Sequence, residues 1–131
     1  MSMSTAHKGS GIFLTFSGDC REAFMLYHSC FGGELVIDAF TQHIEGCSAQ
    51  PVIRAVLYSP KLVIQGSDLV YNEGRRVGNY MAVLIACNSY EERTRYIEQL
   101  YDYKHTTVLT SSTEPLVEIV DRFDVRWMFA I

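Results

Sequence analysis

The chain has 131 residues, of which 48% are hydrophobic and 20% are charged, and its formal net charge at pH 7 is -4. This length and balance are typical of one folded domain with a sizeable core, and they exclude a disordered or fibrous chain. The negative charge argues against a nucleic-acid partner, because the adjacent basic pair Arg75 and Arg76 is too small to follow a phosphate backbone.

The four cysteines are widely spaced, and none belongs to a Cys-x-x-Cys motif: Cys20, Cys30, Cys47 and Cys87. Together with the lack of a secretory segment, this spacing predicts reduced thiols in a cytoplasmic protein. No apolar run approaches the roughly 20 residues that cross a bilayer, so no membrane span is expected.

The stretch 12–40 predicts a strand, a helix and a second strand. Ile12 to Phe16 is rich in β-branched and aromatic residues, which suit a half-buried strand. We expect the carboxylate of Asp19 to accept hydrogen bonds from the first turn of the helix, with Glu22 completing a capping box and Gly32-Gly33 ending the helix. The helical spacing of its apolar residues predicts one buried face, made of Cys20, Ala23, Phe24, Tyr27, Cys30 and Phe31.

The remainder of the first half predicts three further strands. They cover Glu34 to Thr41, Val52 to Tyr58 and Leu62 to Gln65. Residues 42–51 are interpreted as a loop that could border a pocket. Leu69 to Gly78 has no apolar period and is the best linker candidate in the chain.

The second half repeats the first. Tyr80 to Cys87 predicts a strand, and Ser89 followed by Glu92 predicts a second capping box. Placing Asp19 on Ser89 superposes strand, cap and helix at one offset of 70 residues, since 89 minus 19 is 70. Three final strands are predicted at Thr106 to Leu109, Leu116 to Asp121 and Arg126 to Ile131.

The second helix is predicted to bury one stripe and to expose its charges. The stripe consists of Tyr90, Thr94, Ile97, Leu100 and Tyr101. Arg93 and the neighbouring charged residues fall off this stripe, so we expect them to be solvated.

These patterns predict an α+β protein of two tandem β-α-β-β-β modules within a single domain, 1–131. Module one covers about 11–68, the linker about 69–78 and module two about 79–131. Neither half, at roughly 60 residues, could bury enough apolar area alone, so the sheets must pair within the chain or with another copy. Curved mixed sheets that pair in this way enclose a cleft, which is the default location for a ligand.

A duplication of this length resembles the vicinal oxygen chelate superfamily, which includes glyoxalase I, bleomycin resistance proteins and extradiol dioxygenases. The opening residues are similar to the first motif of its PhnB-like (demethylubiquinone methyltransferase-like) branch: Phe16, Gly18, Cys20, Glu22-Ala23, Tyr27 and Phe31-Gly32-Gly33. Later landmarks of that branch are matched by Ile64 to Asp68, Gly78-Asn79, Glu91-Glu92, Asp121 to Phe123 and Trp127-Met128. The resemblance implies a glyoxalase-like fold and a homodimer.

The sequence departs from the PhnB-like pattern at two places. Asp124 stands where the family's turn carries glycine, so a left-handed conformation is expected at a residue that adopts it less freely. The family's Trp-Gly pair is replaced by Thr113 to Leu116, which is expected to remodel one wall of the cleft.

The resemblance also implies four strand positions at which metal-using relatives place His and Glu ligands. In this sequence they fall near Gly11, Gln65, Asn79 and Met128, with an uncertainty of one or two residues. None of these is a strong ligand for a divalent ion, so neither a metal nor another cofactor is expected. No nucleophile elbow, P-loop or dinucleotide fingerprint is present, and the sequence leaves open whether the protein is an enzyme.

Five residues are predicted to contact a ligand in the cleft: Gln65, Asn79, His43, Glu118 and Trp127. The other histidines, at 7, 28 and 105, are interpreted as surface or capping residues. Asp38, Asp68 and Glu118 lie on or beside strands and would serve as a general base if buried, although such carboxylates more often are solvated or cap a turn.

Three functions remain open at this point. The first is metal-free binding of a small apolar or aromatic molecule, as in resistance-type relatives. The second is a metal-dependent lyase or isomerase of the glyoxalase kind that uses Gln65, Asp68 or Glu118 with His43. The third is a dimeric interaction module without a ligand.

Overall fold

The computed structural model describes residues 11–40, 51–68, 75–101 and 113–131. They belong to two compact units that divide between Arg76 and Val77, inside the stretch predicted to be a linker. The predicted strand at Thr106 to Leu109 and most of the predicted loop and linker lie outside the described residues. Whether the two units form one domain remains a prediction.

Unit one contains one helix and a four-stranded mixed sheet. Its elements are β1 (Ile12–Thr15), α1 (Cys20–Phe31), β2 (Glu34–Ala39), β3 (Val52–Tyr58) and β4 (Val63–Ser67). The strand order is β1-β4-β3-β2, with β1 parallel to β4 and the other neighbours antiparallel.

Helix α1 packs on one face of this sheet through the predicted apolar stripe. Every residue of that stripe is buried, and the Phe24 ring meets the rings of Phe16 and Tyr27 edge to face, with centroids 6.1 and 5.8 Å away. Gly66 of β4 lets the helix approach closely, because a Cβ there would lie 2.6 Å from the Phe24 ring. The buried core of unit one therefore lies between α1 and this face.

Unit two repeats the arrangement with three described strands. Its elements are β5 (Val83–Ala86), α2 (Tyr90–Leu100), β6 (Leu116–Val120) and β7 (Arg126–Ala130). The order is β5-β7-β6, again with a parallel pair, β5 and β7, and an antiparallel neighbour. Both units thus pair their first strand in parallel with their last, which confirms the predicted α+β fold of two like modules.

The sheet of unit two buries the face that carries its aromatic residues. Trp127 and Phe129 are fully buried, and Phe129 stacks on Tyr96 of α2 with ring centroids 6.3 Å apart. Val83 and Ile85 of β5 are buried as well. Because side chains alternate along a strand, the residues between them point to the opposite face.

The N-terminus of α1 is capped differently from the prediction. The Asp19 side chain makes no capping hydrogen bond, and the carboxylate of Asp68 accepts from the N–H groups of Gly18 and Cys20 at 2.8 and 3.1 Å instead. Helix α2 follows the prediction, because the Ser89 hydroxyl accepts from the N–H of Glu92 at 3.1 Å. Glu92 completes the cap by accepting from the N–H of Asn88 at 2.9 Å.

The buried face of α2 also differs from the predicted stripe. Tyr90, Thr94 and Tyr101 are exposed, whereas Arg93 is only 2% exposed. Arg93 donates from Nη1 to the Glu114 carbonyl at 2.8 Å, and its guanidinium lies 5.1 Å from the Tyr90 ring centroid. The prediction was wrong because the burial of Arg93 depends on its acceptor, the Glu114 carbonyl. This acceptor lies 21 residues further along the chain, and helical spacing does not reveal it.

Two smaller departures concern turns and strand starts. The strand predicted from Tyr80 begins at Val83, and Tyr80 is 86% exposed. Asp124 adopts the expected left-handed conformation, with a φ of 62°. Neither helix within the described ranges is long and apolar enough to cross a membrane.

Candidate ligand-binding site

Each sheet has a second face, opposite its helix, which we call the distal face. In unit one Gly66 faces α1, so Gln65 beside it and Phe13 across from it point to the distal face. In unit two the neighbours of Trp127 do the same, which places Arg126 and Met128 there. The distal faces therefore carry both polar and apolar side chains of the kinds that form ligand sites.

Gln65 lies on the distal face of unit one and is hydrogen-bonded. Its Oε1 accepts from Arg54 Nε at 2.8 Å, and its register partner in β1 is Phe13. The sequence placed the first metal-equivalent position near Gly11, but Gly11 precedes β1 and Phe13 occupies the paired site. Phe13 lies within the uncertainty of one or two residues that the sequence allowed, and strand pairing rather than motif spacing fixes the register.

In unit two the corresponding pair is Leu84 and Met128, which are register partners in β5 and β7. Asn79, predicted to fill the third position and to contact a ligand, is exposed and precedes β5, so it does not lie on the distal face of this sheet. Leu84 takes its place and is 62% exposed.

The four paired positions therefore hold Phe13, Gln65, Leu84 and Met128. Divalent cations of the kind that the fold family uses need several carboxylate, imidazole or thiolate ligands. This set offers one amide oxygen, already bonded to Arg54, and one thioether. Within the described ranges there is also no cluster of three or more His, Cys, Asp or Glu side chains that could hold a metal. Phe13, Gln65, Leu84 and Met128 therefore do not supply the ligands that a divalent cation needs.

Glu118 lies on the distal face of β6 and forms a salt bridge with Arg126. Its Oε1 is 2.9 Å from Arg126 Nη1, and the two side chains are 48% and 22% exposed. The carboxylate faces solvent rather than an apolar interior, so it lacks the burial that would make it a general base.

Trp127 lies on the side of the sheet that faces α2. It is 0% exposed, stacks on Phe129, and donates from Nε1 to Asp121 Oδ2 at 2.9 Å. The side chain belongs to the core of unit two and is not placed to contact a ligand on the distal face. His43, the remaining predicted ligand contact, lies outside the described residues.

The candidate bases Asp68 and Asp38 are not arranged for proton transfer. Asp68 is 2% exposed, but its carboxylate accepts from three backbone N–H groups, those of Gly18, Cys20 and Val52. Asp38 is exposed on β2. Asp68 therefore stabilises the fold, and Asp38 is a surface residue.

Burial and the neighbouring carboxylates of Asp68 and Asp19 raise the pKa of the Cys20 thiol to about 12. A thiol with this pKa is almost wholly protonated at neutral pH, and the thiolate is the reactive form. Cys20 is therefore a core residue rather than a nucleophile, in agreement with its place on the buried stripe of α1.

Asp121 stabilises the turn between β6 and β7. It is fully buried, and its Oδ1 accepts from the N–H groups of Phe123 and Val125 at 2.8 and 3.2 Å. With the bond from Trp127 it ties the turn to the core of unit two.

Two arginines on the distal faces were missed from the sequence, Arg54 and Arg126. A sequence signal was present for Arg126, which shares a strand with the metal-equivalent position Met128, whereas Arg54 became apparent only from the strand pairing. Arg126 precedes Met128 by two positions, and Arg54 precedes Val56, the register partner of Gln65, by two.

Neither a family model nor a curated protein matches the sequence. Solved structures do match. The chain is similar to the protein PA1353 of Pseudomonas aeruginosa, with a TM-score of 0.75 and 23% identity over 93% of this chain and 97% of that one. It is similar to the PhnB protein of Bacillus cereus, with a TM-score of 0.78 and 21% identity over 94% and 98%.

A third similar structure is a form of the fosfomycin resistance protein FosX of Listeria monocytogenes, with a TM-score of 0.63 and 12% identity over 94% of this chain and 90% of that one. At these identities the likenesses define the fold. The chain shares its α+β, glyoxalase-like fold with these structures, as its motifs implied.

Proposed function

We propose that the protein binds a small apolar or aromatic molecule on the distal face of one of its sheets, without a metal ion. The observation that carries this proposal is the pair of large apolar side chains, Phe13 and Leu84, beside two of the positions at which the resemblance implies ligands in metal-using relatives. They are 53% and 62% exposed, so each is open to contact with a ligand. Each is paired with a residue that offers a polar or polarisable group, Gln65 or Met128.

The similar structure of FosX supports a small molecule as the kind of ligand, because a protein of this fold holds one. That protein was solved in complex with Mn(II) and 1S,2S-dihydroxypropylphosphonic acid. The present chain has the same fold with a donor set that does not suit such a metal. Apolar contact with a few polar points is the mode of binding that remains, and it is typical of small-molecule sites.

The proposed lyase or isomerase activity gains no support from the described residues. Gln65 is bonded to Arg54, Asp68 is buried with its oxygens occupied by backbone N–H groups, and Glu118 is paired with Arg126. None of the three is held ready to bind a metal or to accept a proton.

Calorimetric titration of the full chain with a neutral aromatic probe, 2-naphthamide, tests the proposal. We expect saturable binding that is lost in Phe13→Glu or Leu84→Glu, because a carboxylate desolvated under the ring is unfavourable. Val77→Glu is the matched control, since Val77 is also 53% exposed but lies outside the strands. No binding, or equal binding by all three variants, would contradict the proposal.

We also propose that the protein is a homodimer. Within the described residues, β1 and β2 are the edges of one sheet and β5 and β6 the edges of the other. Exposed edges in a small sheet protein favour association with a second copy. Sedimentation at micromolar concentration is expected to show a dimer, and a monomer alone would refute this proposal.

A further inference from the structure

Arg126 carries a hydrogen-bond donor that the fold leaves unsatisfied. Its Nε is buried and has no acceptor among the described residues, while its Nη1 is held by Glu118 at 2.9 Å. Buried donors in folded proteins are almost always paired, so an exception calls for a physical explanation. Arg54, on the distal face of the other sheet, shows the usual state, because its Nε donates to Gln65.

The surroundings of Arg126 indicate what kind of acceptor is expected. Met128 follows it by two residues on the same face, about 7 Å along the strand at the usual rise, and Leu84 is the register partner of Met128. An apolar surface thus begins beside a guanidinium that is permanently charged. The Arg126 side chain remains 22% exposed, so a molecule on the distal face can reach the guanidinium, and contact with the covered Nε requires the side chain to turn toward it.

We propose that Arg126 anchors the acidic group of an amphipathic ligand, a carboxylate or phosphonate on an apolar body, on the distal face of unit two. The Nε–H donates to the acid, and the apolar body lies over Met128 and Leu84. This proposal rests on the proposed function, which it narrows to a class of ligand. A guanidinium suits such an acid because its planar donors match two oxygens at once.

Glu118 is assigned a positioning role. It fixes the guanidinium through Nη1 and leaves Nε for the ligand. Its own negative charge opposes an incoming anion, so it lowers affinity while it orders the arginine. The net charge of -4 likewise disfavours non-specific binding of anions, which makes any observed preference for an acid a property of the site.

Titration with 2-naphthoate and with 2-naphthamide separates the charge from the ring. We expect the acid to bind about tenfold more tightly, which is the effect of one good hydrogen bond to a charged group. Arg126→Met is expected to abolish the preference, and Arg126→Lys to reduce it. Arg122→Met, which removes the same charge from an exposed turn residue, is expected to keep it.

Glu118→Gln provides a test that a merely structural ion pair would not pass. Removing the competing carboxylate is expected to strengthen binding of 2-naphthoate and to leave 2-naphthamide unchanged. A weaker or unchanged affinity for the acid would overturn the assignment of Arg126 as its anchor.

The Nε–H resonance of Arg126 gives a direct readout in the unmodified protein. It is identified by its loss in Arg126→Lys and is expected to shift with 2-naphthoate but not with 2-naphthamide. Equal binding of acid and amide overturns the inference and leaves the proposed function standing. Binding of the acid alone, with the shift at Arg126, supports the inference and contradicts the proposed binding of neutral aromatics. Binding of neither probe overturns both.

Discussion

Asp68 accepts hydrogen bonds from Gly18, Cys20 and Val52, which belong to segments 16 to 50 residues away. These three donors satisfy the buried carboxylate, which holds the start of α1 against the start of β3. The bonds make Asp68 the structural centre of unit one rather than a catalytic group.

Asp68→Asn is predicted to lower the free energy of unfolding by about 2 to 4 kcal/mol, because an amide turns one acceptor into a donor facing an N–H group and removes the charge from the remaining bonds. Urea denaturation measures the change. Asp38→Asn, at an exposed strand position, is the control and is expected to change it by about 0.5 kcal/mol or less. Equal effects of the two substitutions would contradict the role assigned to Asp68.

Asp19 differs from Asp68 because its side chain accepts no capping hydrogen bond from the helix. Partial burial, together with repulsion from Asp68 and Glu22, raises the pKa of Asp19 above its ordinary value of 3.8, although a backbone hydrogen bond and Arg75 act against the rise. The folded protein therefore keeps this proton at pH values where the unfolded chain has lost it, and stability falls as the pH rises from 3.8 through the raised pKa.

Asp19→Asn is accordingly predicted to raise the free energy of unfolding at pH 7 and to leave it unchanged at pH 3. The gain is expected to be a few tenths of a kcal/mol, because the side chain is only partly buried and solvent screens its charge. Urea denaturation at the two pH values measures it. A variant that is less stable than the parent at pH 7 would show that the charge of Asp19 is favourable in the fold.

At the level of elements, the two helices show why some local structure was predicted and some was not. Helix α2 begins with a cap formed by residues three and four positions apart, which the sequence displays directly. Helix α1 receives its cap from Asp68, which lies 48 residues from Cys20. Sequence spacing carries no information on a bond of that range, so Asp19 was assigned the role instead.

The cap of α2 gives a test at this scale. Ser89→Ala is predicted to destabilise unit two by about 1 kcal/mol, since the N–H of Glu92 loses its acceptor. Thr94→Ala, on the exposed side of the same helix, serves as the control and is expected to be neutral or slightly stabilising, because alanine has the higher helix propensity. Thermal unfolding followed by circular dichroism compares them, and no loss in Ser89→Ala would contradict the capping bond.

The sequence also did not determine which face of a strand packs against the helix. Alternation along β7 separates Trp127 and Phe129 from Arg126 and Met128, but alternation alone does not say which set meets the helix. An aromatic residue satisfies both a core and a binding cleft, so Trp127 was assigned to the ligand. The stacking of Phe129 on Tyr96 resolves the choice in favour of the core.

For the whole molecule, the pattern of caps, glycines and apolar stripes was sufficient to predict the fold. Structures that share only 12 to 23% of its residues have the same architecture. The candidate site was less predictable, because the residues that pair with Gln65 and Met128, which are Phe13 and Leu84, follow from strand register rather than from motif spacing. Those two residues now carry the functional proposal.

Metal independence of ligand binding is the central claim, and one calorimetric measurement tests it. The purified protein is analysed for divalent ions and is titrated with 2-naphthamide after treatment with a chelator, and again in the presence of Mn(II). The account predicts no tightly held ion and the same affinity under both conditions, since Phe13, Gln65, Leu84 and Met128 supply contact but not coordination. One retained divalent ion per chain, or binding that requires Mn(II), would contradict it.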